Sequence, residues 1–281
     1  MKRIAIAAIL TASFGANAQI KTPALSPLGE VEQTVGLTEI DIEYSRPSKR
    51  GRTVFTDIVP YGEVWRAGAN KNTTIVMDDH LVFGKDTLKA GSYAIFVKPE
   101  AAKWTVYFYA NTENWGTPEK WDDKLVAVQV EAPVQSGNVV ETFTIGFDKV
   151  EIDGAHLTFA WDKAHVSVPF KVINGPKVEA SIKATLSGKP TAGDYYRAAD
   201  YYVNSNGDMK QALEWMNKSI ELSGENVPFY FLRKKALIQA SLKDFKGAIE
   251  TAKLSSEAAK KANNEEYVKM NEASIKEWSK K

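Results

Sequence analysis

The chain contains no cysteine. Disulfide staples and thiolate chemistry are excluded, so stability has to come from buried apolar area. Histidine is scarce, with only His80, His156 and His165. None of them sits in an H-E-x-x-H frame. Asp78-Asp79-His80 reads as part of a strand with Asp78 and His80 on one side, but two ligands do not make a metal centre, and no metal is assigned. Walker and G-x-G-x-x-G spacings are missing, so no cofactor is expected. The G-x-S-x-G elbow of serine hydrolases is missing too. Nor does one sign of charge dominate: 36 basic side chains stand against 35 acidic ones. A near-neutral surface has no field to draw nucleic acid or an anionic membrane.

Long apolar runs are confined to the N-terminus. Lys2 and Arg3 precede the apolar run Ile4–Leu10, and Ala16-Asn17-Ala18 supplies small residues. That succession predicts a signal peptide over residues 1–18, cleaved after Ala18. The run is too short to span a bilayer. The expectation is an exported protein, periplasmic or extracellular, with no membrane span after cleavage. Gln19 at the cut leaves no cysteine to carry a lipid anchor. Lys2 and Arg3 are the only charges removed, leaving 34 basic against 35 acidic side chains.

What is present falls into two parts. From Glu30 to Val172 the hydrophobic period is two, which marks a β domain over residues 19–174. Glu39-Ile40-Asp41-Ile42-Glu43-Tyr44 alternates strictly, which places Ile40, Ile42 and Tyr44 on one strand face. Further strands are predicted at Lys103–Tyr109, Lys124–Val130, Glu141–Phe147, His156–Trp161 and His165–Val172, with turns at Gly84-Lys85 and Asp153-Gly154. On the last two strands, His156 and His165 fall on the outer face, opposite Leu157, Phe159, Val166 and Val168. Eight to ten short strands predict an antiparallel β-sandwich or jelly-roll-like domain. Residues 175–193 read as a linker with a short helix near Val178–Leu186.

From Asp194 to Lys281 the period becomes 3.6. Met209, Ala212, Leu213, Met216 and Ile220 form one stripe; Phe245, Ala248, Ile249, Ala252 and Ala259 form another. Asp208 with Ala212-Leu213 recurs as Asp244 with Ala248-Ile249, and Pro228 falls between the units. The pattern predicts a tetratricopeptide-like pair of helical hairpins and a last helix with Val268, Ile275 and Trp278 inward. Two units bury too little alone, so the tail is expected to pack on the β domain or on a protein partner. The fold class is therefore α+β and multidomain.

One segment is distinctive: Tyr44-Ser45-Arg46-Pro47, then Gly51-Arg52, then Val59 through Val64-Trp65-Arg66-Ala67-Gly68-Ala69-Asn70. With Lys89–Phe96, Trp104-Thr105-Val106, and Trp161-Asp162-Lys163 leading to Val166–Pro169, it resembles a bacterial domain-of-unknown-function family numbered 2911. Ala212–Trp215 and Tyr267–Glu272 extend the resemblance into the tail. It implies an exported protein of Bacteroidetes type with this fold, and it implies no activity.

The same segment holds the candidate site. It reads as a long connection between strands, and such loops are disproportionately functional. Arginine beside aromatic rings grips carboxylates, phosphates or sugars by forked hydrogen bonds and stacking. The ligand-binding candidates are Tyr44, Arg46, Arg52, Tyr61, Glu63, Trp65, Arg66 and Asn70. The alternative is that Arg46, Arg52 and Arg66 pair with Asp57 and Glu63 to hold the loop in place. Trp115 and Trp121, in the loop Asn111–Asp123, either stack on a sugar or plug the open end of the sandwich. Three functions follow: a binding protein for a small anionic or sugar ligand whose tail takes a protein partner; an envelope hydrolase built on Glu63 with Asp57 or Asp78; or a purely structural module. No catalytic residue is assigned.

Overall fold

The computed structural model describes residues 22–281. The signal-peptide expectation concerns residues 1–18 and lies outside them. Strands form where the alternation is strict. β1 (Leu28–Val35) and β2 (Thr38–Ser45) make a hairpin and β3 (Ala69–Met77) follows; β4 (Leu81–Phe83) and β5 (Asp86–Leu88) make a second hairpin. Then come β6 (Gly91–Pro99), β7 (Lys103–Tyr109), β8 (Val126–Glu151) and β9 (Gly154–Val172). All pairings are antiparallel, in the order β1-β2-β3-β6-β7-β8-β9-β4-β5.

The four separate strands expected beyond residue 124 are fused into β8 and β9, of 26 and 19 residues. Register slips between Ser136 and Thr144 let both strands bend without a break in pairing, as bulges do. Asp162, at φ 51, lies at the bend of β9. Beyond it the strand folds back on itself, and the Val172 N–H reaches the Asp153 carbonyl at 2.9 Å. The bends bring the second half of β8, and β9 with it, over the sheet. Ile40, Ile42, Ile75 and Val97 thereby share one core with Phe143, Phe159, Trp161 and Val168.

A second, smaller cluster covers the opposite face of the sheet. Ala94, Phe96 and Tyr109 are buried there beneath Val64, Trp121 and Leu125. Trp121 packs on Phe96, Tyr107 and Tyr109, with ring centroids 4.7–5.4 Å apart. It therefore clads a sheet face and does not plug an open end. Its neighbour Trp115 is 77 % exposed. The strand expected around Asp78–His80 is also absent: β3 stops at Met77. Asp78 instead accepts the Glu39 N–H, and Asp79 pairs with Lys177.

Six α-helices follow: α1 (Gly175–Leu186), α2 (Ala192–Asn204), α3 (Met209–Ser223), α4 (Phe229–Ser241), α5 (Phe245–Lys261) and α6 (Glu265–Trp278). α1 begins at Gly175, three residues before the helix expected inside the linker, because Pro176 suits a first helical turn. Asp208 and Asp244 cap α3 and α5, so the repeated aspartates are helix starts. Thr191 and Asp194 close a reciprocal capping box on α2. The helices pack on one another, and none of them packs broadly on the sheet. Asn174 holds the junction by accepting the Leu37 N–H at 2.9 Å and donating to the Ile152 carbonyl at 2.7 Å.

Candidate functional site

The connection from β2 to β3 carries six of the eight candidates, with Tyr44 on β2 before it and Asn70 on β3 after it, and its path explains what each one does. Beyond Ser45 the chain runs beside β8: Phe143 N–H donates to the Pro47 carbonyl, and Lys49 N–H donates to that of Glu141. Arg50 and Gly51, both at positive φ, turn it away. A tight helical turn over Val54–Ile58 buries Val54. The chain then returns beside β6, where Trp65 and Val97 exchange backbone hydrogen bonds of 2.8 Å.

Five candidates bond or stack on other parts of the protein, though Arg52 and Asn70 do so from exposed positions. The Tyr44 hydroxyl accepts the Ile145 N–H at 2.9 Å and donates to the Ile145 carbonyl at 3.1 Å, locking β2 to β8. Arg46 donates to the Phe143 carbonyl and to Thr144 Oγ1. Arg52 closes its own loop by donating to the carbonyls of Ser48 and Lys49. Trp65 stacks on Trp161 at 5.4 Å, and its indole N–H donates to the Gly68 carbonyl. Asn70, in the left-handed region at φ 58, donates to Ser45 Oγ. These contacts fix the connection as a rigid shelf.

The expected ion pairs with Asp57 and Glu63 do not form among the described residues. Asp57 turns back to accept the Thr53 N–H. Glu63 is exposed, as is Tyr61, which stacks on Phe55 at 5.2 Å. Backbone carbonyls have replaced carboxylates as the arginine acceptors. Asp57 and Asp78, the acids considered with Glu63, each accept a backbone N–H, from Thr53 and Glu39.

Arg66 differs from the other arginines of the connection. Trp65 faces the main core, so alternation turns Val64 and Arg66 to the opposite face, where Val64 joins the Phe96–Trp121 cluster. The Arg66 side chain is half-buried there without a hydrogen bond or ion pair among the described residues, and its Nε is buried without an acceptor among them. Burial pushes its pKa down. Gly116, at φ 102, lies against it, and a Cβ at that position would come within 2.9 Å of the guanidinium Nη1. The loop is pinned alongside, Thr117 donating to the Val64 carbonyl at 3.2 Å. Asn72 is 3 % exposed, and neither its Oδ1 nor its Nδ2 has a partner. Gly116 and Asn72 had no sequence signal, because a glycine in a loop and an asparagine near a strand start are ordinary. No group of three or more potential metal ligands exists among the described residues.

A nine-stranded antiparallel β domain with a helical tail, holding an unpaired arginine on a braced inter-strand connection, is the class defined by this fold and site. The chain belongs to the family described as protein of unknown function DUF2911, which matches residues 26–170. The match takes in the whole β2–β3 connection and stops before the helices, so the resemblance read into the tail is not part of it. No curated protein and no solved structure matches the chain.

Proposed function

We propose that the protein is an exported binding protein whose β domain takes a small anionic ligand at Arg66. The observation that carries this is the half-buried guanidinium with no acceptor of its own. A buried polar group left unpaired costs free energy, and a charged one costs more. A ligand carboxylate or phosphate supplies the missing acceptor, and the fork of the guanidinium suits it. Trp115, exposed one residue from Gly116, gives a sugar or aromatic portion a ring to stack on. In this reading the β domain is a sandwich closed by the bends of β8 and β9. The tail is a pair of tetratricopeptide-like hairpins that receives a protein partner. Export rests on the basic, apolar and Ala-x-Ala succession at the N-terminus.

A thermal-shift screen of the purified protein against short carboxylic acids, sugar acids, phosphates, neutral sugars and peptidoglycan fragments tests the site. A ligand at a hundred times its dissociation constant adds about 2.7 kcal/mol of stability. The expected result is a shift with an anionic compound that Arg66→Met abolishes. A shift that survives Arg66→Met, or none from any anion, overturns the assignment.

A further inference from the structure

The bend at Asp162 divides β9 into two arms whose far ends meet, the Val172 N–H donating to the Asp153 carbonyl. His156 lies on the first arm and Ser167 on the second. A straight strand would hold residues so spaced about 36 Å apart. The bend instead brings the His156 Nδ1 within 2.7 Å of the Ser167 Oγ, a nucleophile and a base at hydrogen-bond distance. Both side chains are half-buried. Both line a cavity of about 400 Å³ walled by the two arms, a size usual for small-molecule sites.

The same cavity carries the other groups that acyl transfer uses. Asp148 lines it and stands directly opposite His156 in the β8–β9 ladder, so the two share a sheet face. Its Oδ1 accepts the Lys149 N–H at 2.8 Å, which holds the carboxylate in place. Gln135, Lys149 and Thr158 also line the cavity and carry N–H and O–H donors for a developing oxyanion. A second cavity of about 290 Å³ adjoins at His156 and Lys149, with Val82, Ala155 and Pro169 in its wall. The charges at that wall are paired, Lys171 lying 3.8 Å from Glu151 and 2.9 Å from Asp153. His156 and Ser167 thus stand where a polar cavity meets one with an apolar wall.

We infer that this cleft is an esterase site, separate from Arg66, in which Ser167 is the nucleophile and His156 the general base. The two cavities set the substrate class: an ester joining a short acyl group, lying along Val82 and Pro169, to a polyhydroxyl alcohol held by Gln135 and Thr158. With the ring proton on Nε2, Nδ1 takes the Ser167 proton as Oγ bonds to the ester carbonyl carbon. The carbon–alkoxy bond then breaks, the alcohol leaves with that proton, and the acyl group stays on Oγ. Water attacks the acyl carbon through the same base, which releases the carboxylic acid and restores the Ser167 hydroxyl. Asp148 is a positioning residue that steadies the imidazolium formed in each half of the cycle.

The test treats the whole protein with a biotinylated fluorophosphonate and locates the adduct by mass spectrometry of its peptides. Phosphonylation of Ser167 is expected, absent in Ser167→Ala and at least tenfold slower in His156→Gln. Hydrolysis of 4-nitrophenyl acetate should fall at least tenfold in both variants, with melting points unchanged. It should stay at the wild-type rate in His80→Gln, which removes an imidazole outside the cleft. Asp148→Asn should lower kcat at least threefold and leave KM unchanged; an unchanged kcat overturns its positioning role. Acetate release, followed by nuclear magnetic resonance, should be faster from an acetylated hexose than from hexyl acetate, and the reverse order overturns the polyhydroxyl substrate. An adduct that spares Ser167, hydrolysis that survives Ser167→Ala, or an equal loss in His80→Gln overturns the esterase site itself.

Discussion

Replacing Arg66 by methionine separates a ligand-binding arginine from a keystone. Methionine keeps an unbranched apolar stem of similar reach, so the packing that the arginine methylenes make is largely retained. What disappears is a half-buried guanidinium whose Nε has neither solvent nor acceptor. An unsatisfied buried donor costs about 1–3 kcal/mol. Its removal should therefore leave the free protein unharmed or stabilise it by about 1 kcal/mol, a rise of roughly 2–4 °C for a domain of this size. Had Arg66 been the anchor of an internal ion pair, the same substitution would cost about 3–5 kcal/mol, because a carboxylate would be stranded. The two expectations differ in sign and by several kcal/mol. Urea unfolding of the two proteins, with equal slopes to confirm that the same surface is exposed, reads the difference directly. A loss of 2 kcal/mol or more in Arg66→Met would refute the reasoning, whatever any ligand screen returned.

Other expectations follow from the contacts around the site and the tail. Tyr44→Phe strands both the N–H and the carbonyl of Ile145 in the core, and should cost about 1–3 kcal/mol in the same urea assay; an unchanged midpoint would mean the β2–β8 lock is dispensable. Trp121→Ala uncovers Phe96 and Tyr109 on the outer sheet face and should cost about 3 kcal/mol or more, with the loop at Asn111–Asp123 becoming protease-sensitive. The Asp194 carboxyl is held at about 2, first by the Thr191 backbone N–H and then by its hydroxyl and Arg197. Its folded-state pKa lies below the usual 3.8, so its contribution is present above that value and lost as pH falls through about 2. Melting points of wild type and Asp194→Asn should therefore differ at pH 7 and converge near pH 2. Burial pushes the Tyr196 phenol up to about 12, so its contribution is complete below pH 10 and lost as pH rises through 12. Burial also raises Tyr107 and Tyr202, so ultraviolet titration should show a late-ionising group of tyrosines that loses one member in Tyr196→Phe.

Strands and helices were legible wherever one residue's neighbours decided them. Strict alternation at Glu39–Tyr44 placed β2, and the aspartates at 208 and 244 marked where α3 and α5 begin. The union of four short strands into β8 and β9 was not legible, because bulges keep the pairing going where the sequence shows only breaks. The outer cluster left a trace that alternation alone misses: Ala94-Ile95-Phe96-Val97 is apolar at every position because β6 is covered on both faces. Within the site, the aromatic and arginine content of residues 44–70 was legible, but the division of labour was not. Arg46 is satisfied by atoms of Phe143 and Thr144, about a hundred positions along the chain, and no spacing rule encodes that.

That division of labour is what turns a list of candidates into a site. Arg46 and Arg52 have their donors taken up by carbonyl and hydroxyl oxygens that the fold delivers to them. Their roles end at the connection they hold. Arg66 lies on the same shelf, braced by the Trp65 stack on one side and by the Gly116–Thr117 backbone on the other, yet receives no acceptor. A mobile arginine would turn to water and recover its hydration; this one is confined where its Nε cannot. Rigid surroundings and unspent polar groups together mean that binding an anion there requires little reorganisation, the condition under which a few hydrogen bonds yield useful affinity.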